Sequence, residues 1–228
     1  MNLAPIPYSP TGTVYGVLLN FQGECAAMAA RMTQPPYQAA PRAPVLYIKT
    51  ANTWSANGAD IAVPRRVAEV EVGATIAMVL GPGVTRGQRP SAAPAVASYV
   101  LMNDLSVPHS SFFRPPVKFK CLDGFLGIGA RLVLAAQATG AMDPALFKLH
   151  VHINGSIRQS VDFSCVVRSA AQLLADVGEF MTLREGDVLM LGCDIGRPLA
   201  KVGDRIEISA PDWPAFGSLS NTLIAQAP

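Results

Sequence analysis

Charge is scarce in this sequence. Of 228 residues only 15% are Asp, Glu, Lys or Arg, while 50% are hydrophobic. So few charged side chains leave apolar surface uncovered on a monomer, and an oligomer is expected. The formal net charge is only +2, no basic run occurs and aromatic residues make up 7%, so the electrostatic footprint of a nucleic-acid binder is missing. Apolar runs long enough to cross a bilayer are also lacking. The longest uncharged stretches, Val72 to Thr85 and Pro90 to Asn103, fall short of the ~18 residues a span needs, and Pro or Gly interrupts both. The opening "MNLAPIPYSP" has neither the basic nor the apolar region of an export signal. Cys25, Cys121, Cys165 and Cys193 form no C-x-x-C pair, which fits reduced, mostly buried thiols in a cytoplasmic protein.

What is present reads as one strand-rich α+β domain over residues 1–228. An N-terminal strand, a lid-like helix and a Pro-rich linker occupy 1–44, and the β-rich body follows over 45–228. Strands are expected over Thr13 to Phe21, Val45 to Thr50, Val67 to Leu80, Ala97 to Leu105, Ala130 to Ala136, Val188 to Gly192 and Arg205 to Ala210. Helices are expected over Glu24 to Met32 and Arg168 to Met181. "LFKLHVHINGSIRQS", Leu146 to Ser160, predicts a hairpin, because Asn154-Gly155 favours the positive φ angles of a type I′ turn between two alternating runs. "GPGVTRG", Gly81 to Gly87, predicts a turn. Its spacing is not that of a phosphate-binding loop, Pro82 intervenes and no helical pattern follows.

Several residues invite a chemical reading. Glu69 and Glu71 alternate on one strand face, where two carboxylates can begin a divalent-cation site or stand as surface charges. His150 and His152 share a face of the hairpin, either as the start of a metal site or as an ordinary exposed face. His109 with Ser110 and Ser111 suggests a nucleophile, but no elbow motif supports it over a loop histidine. The densest chemistry lies in Leu101 to Gly129. There Asp104 ends a strand, Arg114 offers a fork for a carboxylate, and Lys120 either holds an anion or polarises a carbonyl. Asp123 follows Lys120 closely enough to orient it.

These motifs carry a resemblance. "VLYIKTANTW", "VGATIAMVLG", "SYVLMNDLS", "FFRPPVKFKCLDGFLGIG", "INGSIRQS", "EFMTLREGDVLMLG" and "VGDRIEI" resemble, in order, the fumarylacetoacetate hydrolase family. The likeness is nearest to the first half of the family's two-part decarboxylase/isomerases of aromatic catabolism. It implies a mixed β-roll or sandwich with a few helices, and chemistry on 2-oxo or enol diacids assisted by Mg²⁺ or a similar ion.

In the metal-binding members a glutamate pair precedes the glycine that ends the strand. Here the matching positions are Gly73 and Thr75, so no cofactor is predicted although Asp104, the third ligand, is retained. Glu69 and Glu71 lie four residues upstream, roughly 13 Å along a strand, and do not substitute. Restoring the pair by Gly73→Glu with Thr75→Glu is expected to create metal affinity. The lid segment Asn20 to Ala30 has no histidine, Pro108-His109 replaces an Arg-Asp, and Gly192-Cys193 replaces a Gly-Thr. Hydrolysis is thereby disfavoured.

The resemblance implies that Lys120 polarises a substrate oxygen and that Asp104 or Asp123 shuttles a proton or orients Lys120. It further implies that Arg114, Thr75 and Cys193 contact a small polycarboxylate substrate. It leaves three expectations: a decarboxylase/isomerase subunit acting in a homo-oligomer or with a homologous second subunit, a catalytically silent partner of a metal-competent homologue, and an acylpyruvate-type hydrolase.

Overall fold

The structure, a computed structural model, describes residues 7–82, 96–110, 113–135 and 144–227. In chain order these form β1 (Val14–Leu18), α1 (Gln22–Met32), β2 (Val45–Lys49), β3 (Trp54–Ala56), β4 (Asp60–Val63), β5 (Val70–Glu71), β6 (Ala74–Leu80) and β7 (Val96–Asp104). There follow α2 (Val117–Lys120), β8 (Leu126–Ile128), β9 (Val133–Leu134), β10 (Lys148–Ile153), β11 (Ser156–Asp162), α3 (Ala170–Gly178), β12 (Val188–Met190), β13 (Leu199–Ala200), β14 (Arg205–Ser209) and β15 (Ser218–Ala225). None of the described helices is long and apolar enough to cross a membrane.

One large sheet runs β2-β1-β12-β6-β7-β8-β3, with β9 added on β7. Its two outer strands, β2 and β3, are consecutive in sequence and joined only by residues 50–53. Six strand spacings of ~4.8 Å would separate them by about 29 Å in a flat sheet, whereas four residues span at most ~14 Å. The sheet therefore curls until its edges approach. Tyr47 on β2 accordingly hydrogen-bonds Asp104 on β7, four strands away in the order.

The concave side is filled by Val14, Ala77, Val100, Met102, Leu126 and Met190. On the convex side Ile76, Met78 and Leu101 pack beneath a second sheet, β11-β10-β14-β15-β4, which contributes Leu149, Val151, Ile208 and Leu223. Strand β6 is buried at all its positions because both of its faces are covered, which is why its sequence shows no alternation.

The structure revises several sequence boundaries. Val67 to Leu80 is two strands, β5 and β6, separated at Val72 and Gly73. The expected Ala130 to Ala136 strand is paired only over β9, and Ala136 lies outside the described residues. The hairpin is β10 and β11, with φ of 52° at Asn154 and 79° at Gly155, as an I′ turn requires. Helix α3 begins later than expected because Ser169 caps it, accepting a hydrogen bond from Gln172 N at 3.2 Å. Residues 1–6 of the N-terminal stretch and Gly83 to Gly87 of the expected turn lie outside the described residues. All four cysteines are free, but only Cys193 is buried. Cys165 is exposed and the other two are half-buried.

The curl depends on a close approach. Gly16 on β1 pairs with Tyr47 on β2, and the Tyr47 ring lies where a side chain at Gly16 would point. Gly16→Ala is therefore expected to destabilise the protein by about 1–3 kcal/mol through overpacking. Urea unfolding followed by circular dichroism checks this. An unchanged midpoint would contradict it.

Candidate active site

Asp104 ends β7 on the concave side, where alternation puts it beside the Met102 face, and it is fully buried. Two ammonium groups meet it: Lys120 Nζ lies 2.7 Å from Oδ2 and Lys49 Nζ 2.8 Å from Oδ1. The Tyr47 hydroxyl donates to the same carboxylate. Both lysines are buried too. Lys49 also donates to the carbonyls of Leu105 (2.9 Å), Lys120 (2.6 Å) and Phe125 (2.7 Å), so its three protons are engaged by backbone and its hold on Asp104 is ionic. Lys120 Nζ also lies 4.5 Å from the centre of the Tyr47 ring, a cation over an aromatic face. Burial pushes the Asp104 pKa up, but the Lys120 and Lys49 charges outweigh it and hold the carboxyl well below its usual range. Burial lowers the pKa of Lys49, and Asp104 opposes that shift.

A second ionic group adjoins the first. Arg197, in the loop between β12 and β13, places Nη2 3.0 Å from Glu24 Oε1 and Nη1 3.5 Å from Glu71 Oε2. Glu24 lies on α1 and is buried. Leu19 N donates to its other oxygen at 2.6 Å. The start of α1 is itself fixed by Asn20, whose amide donates to Leu191 O (2.8 Å) and Arg168 O (3.2 Å) and whose oxygen accepts from Arg168 N (3.0 Å). Burial raises the pKa of Glu24, while Arg197, the Leu19 amide and Lys120 pull it down and Asp194 adds to the rise. Cys193 packs beside Gly73, and burial together with the Asp104 charge pushes its thiol up to about 12.

A mostly apolar cavity of about 510 Å³ opens next to this cluster, lined by Leu18, Val45, Tyr47, Phe113, Arg114, Val117 and Lys120 among others. Lys120, at the end of α2, presents the buried cation, and exposed Arg114 stands in the wall nearer solvent.

Of the residues expected from sequence, Asp104 and Lys120 are in direct contact and Arg114 shares the cavity with Lys120. Thr75 is wholly buried on β6, its hydroxyl directed to Ile76 O at 3.3 Å, and Cys193 is buried against Gly73. Both form wall behind Asp104 rather than cavity lining. Asp123 does not orient Lys120. It is exposed and accepts from Asn52 Nδ2 at 2.6 Å, and Asp104 takes the orienting place.

Glu69 is exposed, and Glu71 pairs with Arg197. His109 stacks on Phe119 at 4.7 Å with Nδ1 2.9 Å from Val107 O, and Ser110 gives its carbonyl to Arg31. Ser111 lies outside the described residues. His150 and His152 sit with ring centres 6.2 Å apart, and no group of three metal-binding side chains occurs among the described residues. Sequence reasoning missed Tyr47, Lys49, Glu24 and Arg197. The first two were readable from the alternation Val45, Tyr47, Lys49, which puts both on the inward face.

The divalent ion that the resemblance implies does not fit these residues. Asp104 is already neutralised by two ammonium groups, and the Cys193 thiol stays protonated. A Cβ at Gly73 would lie 2.5 Å from Asp104 O and 2.9 Å from Cys193 Sγ. These contacts weigh against the expectation that Gly73→Glu with Thr75→Glu creates metal affinity. The pair is now expected to cost about 1–3 kcal/mol of stability without Mg²⁺ binding, read by melting and calorimetric titration. Stoichiometric binding would contradict this.

Asp104→Asn leaves two buried ammonium groups with no compensating charge, and a loss of about 3–5 kcal/mol is expected. Because the folded-state pKa of Asp104 is depressed, its contribution is complete above its ordinary value of 3.8 and is lost as pH falls below it. Denaturant titrations from pH 7 to 2 check both points. An acid limb as steep in Asp104→Asn as in the parent would contradict the assignment.

The model of the fumarylacetoacetate (FAA) hydrolase C-terminal family matches residues 13–224. The chain is 36% identical over 215 residues to the 4-hydroxyphenylacetate degradation bifunctional isomerase/decarboxylase of Salmonella dublin, covering 94% of this chain and 48% of that protein. It is 35% identical over 203 residues to the protein of the same name from Escherichia coli, covering 89% and 46%. The chain thus spans about half the length of these curated relatives. Among solved structures it resembles fumarylpyruvate hydrolase from Pseudomonas aeruginosa in complex with Mn²⁺ and pyruvate, with a TM-score of 0.78, 21% identity and coverage of 99% of this chain and 100% of that one. That likeness concerns the fold alone. Matched over nearly its whole length, with the curled sheet to go with the motifs, the chain belongs to the fumarylacetoacetate hydrolase C-terminal family.

Proposed function

We propose that the chain is a cytoplasmic subunit of a decarboxylase/isomerase that acts on 5-oxopent-3-ene-1,2,5-tricarboxylate and 2-hydroxyhepta-2,4-diene-1,7-dioate. It works as a homo-oligomer or beside a homologous second subunit. The observation that carries this reading is the Lys120 ammonium, buried and fixed by Asp104 at the wall of an apolar cavity that also holds Arg114. A conjugated oxo acid places its chain against apolar surface, one carboxylate on the Arg114 fork and its oxo or enol oxygen on Lys120. Loss of CO₂ leaves an electron pair that flows into that oxygen, and a fixed cation in a dry wall stabilises the charge as it develops. The names of the curated relatives and the half-length match support the reaction class and the pairing. An acylpyruvate-type hydrolase is less well supported, because the water-activating His is missing from the lid segment.

One observation favours the silent-partner reading. Buried Lys49 and Lys120 and half-buried Arg197 are matched within the chain by Asp104, Glu24 and Glu71. Assaying the purified chain alone, and then mixed with a glutamate-bearing homologous subunit, separates the two readings. In the active reading Lys120→Ala lowers turnover about 10² to 10³-fold, the scale of removing one oxyanion donor, and weakens binding much less. Lys120→Arg keeps the charge but not the compact ammonium, and recovers binding better than turnover. Unchanged decarboxylation by Lys120→Ala in the assembled enzyme would make this chain the silent half.

A further inference from the structure

The tricarboxylate assigned to this cavity carries more negative charges than the cavity has side chains to receive them. Resting on that assignment, we propose that the cavity is a two-anion site, in which the middle carboxylate of the tricarboxylate, the one released as CO₂, lies against apolar wall without a partner.

The donors around the cavity carry this. Among the described residues that line it only Lys120 and Arg114 are charged, and none is acidic. Tyr47, Thr50 and Cys121 also line it, but each already gives its one side-chain proton to the protein. The Tyr47 hydroxyl donates to Asp104, the Thr50 hydroxyl to Asn52 Oδ1 at 2.5 Å and the Cys121 thiol to Ile48 O at 3.1 Å. The rest of the wall, with Leu18, Val45, Leu46 and Val117, is aliphatic, aromatic or proline. Lys120 keeps a proton for the cavity, because an ammonium carries three and Asp104 takes one at 2.7 Å. One buried ammonium and one guanidinium nearer solvent therefore meet two anionic ends.

Size does not discriminate here. A cavity of about 510 Å³ admits the acid with or without its third carboxylate, so the choice falls to charge. In 5-oxopent-3-ene-1,2,5-tricarboxylate the oxo acid is one end, a carboxymethyl group is the other, and the third carboxylate branches from the chain between them. With the oxo acid at Lys120 and the far carboxylate on Arg114, the branch meets apolar side chains. An ionised carboxylate placed there gives up water and gains no hydrogen bond in return.

That arrangement works in the direction of the reaction. The bond between the branch carboxylate and its carbon breaks, CO₂ leaves uncharged, and the electron pair passes along the conjugated chain. The oxo oxygen becomes an enolate beside Lys120 and takes a proton from water, which gives the 2-hydroxydienedioate. Negative charge thus travels from a place with no donor to a place with a fixed cation. The missing partner raises the energy of the bound substrate and not that of the transition state, in which the charge has already moved.

Calorimetric titration of the purified chain with two saturated acids, 2-oxoheptanedioate and 5-oxopentane-1,2,5-tricarboxylate, reads the effect directly. The two differ only in the branch carboxylate, and neither has the conjugated chain through which CO₂ is lost. The dicarboxylate is expected to bind about 10 to 10²-fold more tightly. Val117→Lys sets a cation at an exposed position of the wall and is expected to close or reverse that gap. In the assembled enzyme acting on the unsaturated tricarboxylate, the same change is expected to lower KM and kcat together, as relief of ground-state strain does. Ile48→Lys, at a second exposed position of the wall, repeats the test if Val117→Lys does not fold. A tricarboxylate that binds as tightly as the dicarboxylate, or a lysine variant with lower KM and undiminished kcat, overturns the inference and leaves the assigned reaction intact. Failure of both acids to bind overturns both.

Discussion

A carboxylate buried between two ammonium groups is the constraint on which the rest of this structure depends. Asp104 ends β7, Lys49 ends β2 and Lys120 ends α2, so their meeting joins three segments far apart in sequence. Removing three charges from water is costly, and well-packed apolar side chains in their place would stabilise the fold as well or better. The cluster is therefore no stability device in itself. What it does is fix geometry, because once the charges are inside, any arrangement that separates them leaves a bare charge in an apolar wall. Lys49 extends this by binding three carbonyls, at Leu105, Lys120 and Phe125, which ties the end of β7, the end of α2 and the approach to β8 to a single nitrogen. The curl of the sheet brings these groups together, and their pairing in turn holds the curl.

The same pairing places two protein cations, Lys49 and Lys120, against Asp104. At Gly73 a side chain would run into Asp104 O and Cys193 Sγ, and at Thr75 the hydroxyl turns to the backbone. Without two further carboxylates there is no excess negative charge for a divalent ion to neutralise, and Asp104 is already balanced. In the reaction proposed for this chain, the Lys120 ammonium supplies positive charge where an oxyanion forms. It is a hydrogen-bond donor with a fixed direction, set here by Asp104 below and the Tyr47 ring beside it.

Sequence made part of this legible. The hairpin at Asn154-Gly155, the apolar spacing of α3 and the apolar run of β6 each follow from local chemistry, and each is found with ends shifted by a few residues. Lys120 and Asp104 were legible as a pair because charge is rare and both sit in one short stretch. Asp123 was misjudged because closeness in sequence to Lys120 says nothing of direction. The turn after α2 sends the two side chains to different surroundings. Strands β3, β8 and β13 carry too few residues, and the longer β15 too polar a face, to announce themselves, and all exist because neighbours complete their ladders. Arg197 was invisible for a similar reason. Its loop has no periodicity, and its importance arises only when α1 and β5 bring Glu24 and Glu71 to its two nitrogens.

Glu24 and Asp104 show how one side-chain chemistry is divided by environment. Both are buried carboxyls, so desolvation raises the pKa of each. Asp104 meets two ammonium groups and a phenol, and the opposing charge overwhelms desolvation. Glu24 faces a guanidinium shared with a second glutamate, so each carboxylate receives only part of that charge and desolvation prevails. The two carboxyls are thus pushed in opposite directions by their surroundings, Asp104 down and Glu24 up. Glu71 is therefore not idle. It shares the Arg197 guanidinium with Glu24, so one side chain ties β5 to α1.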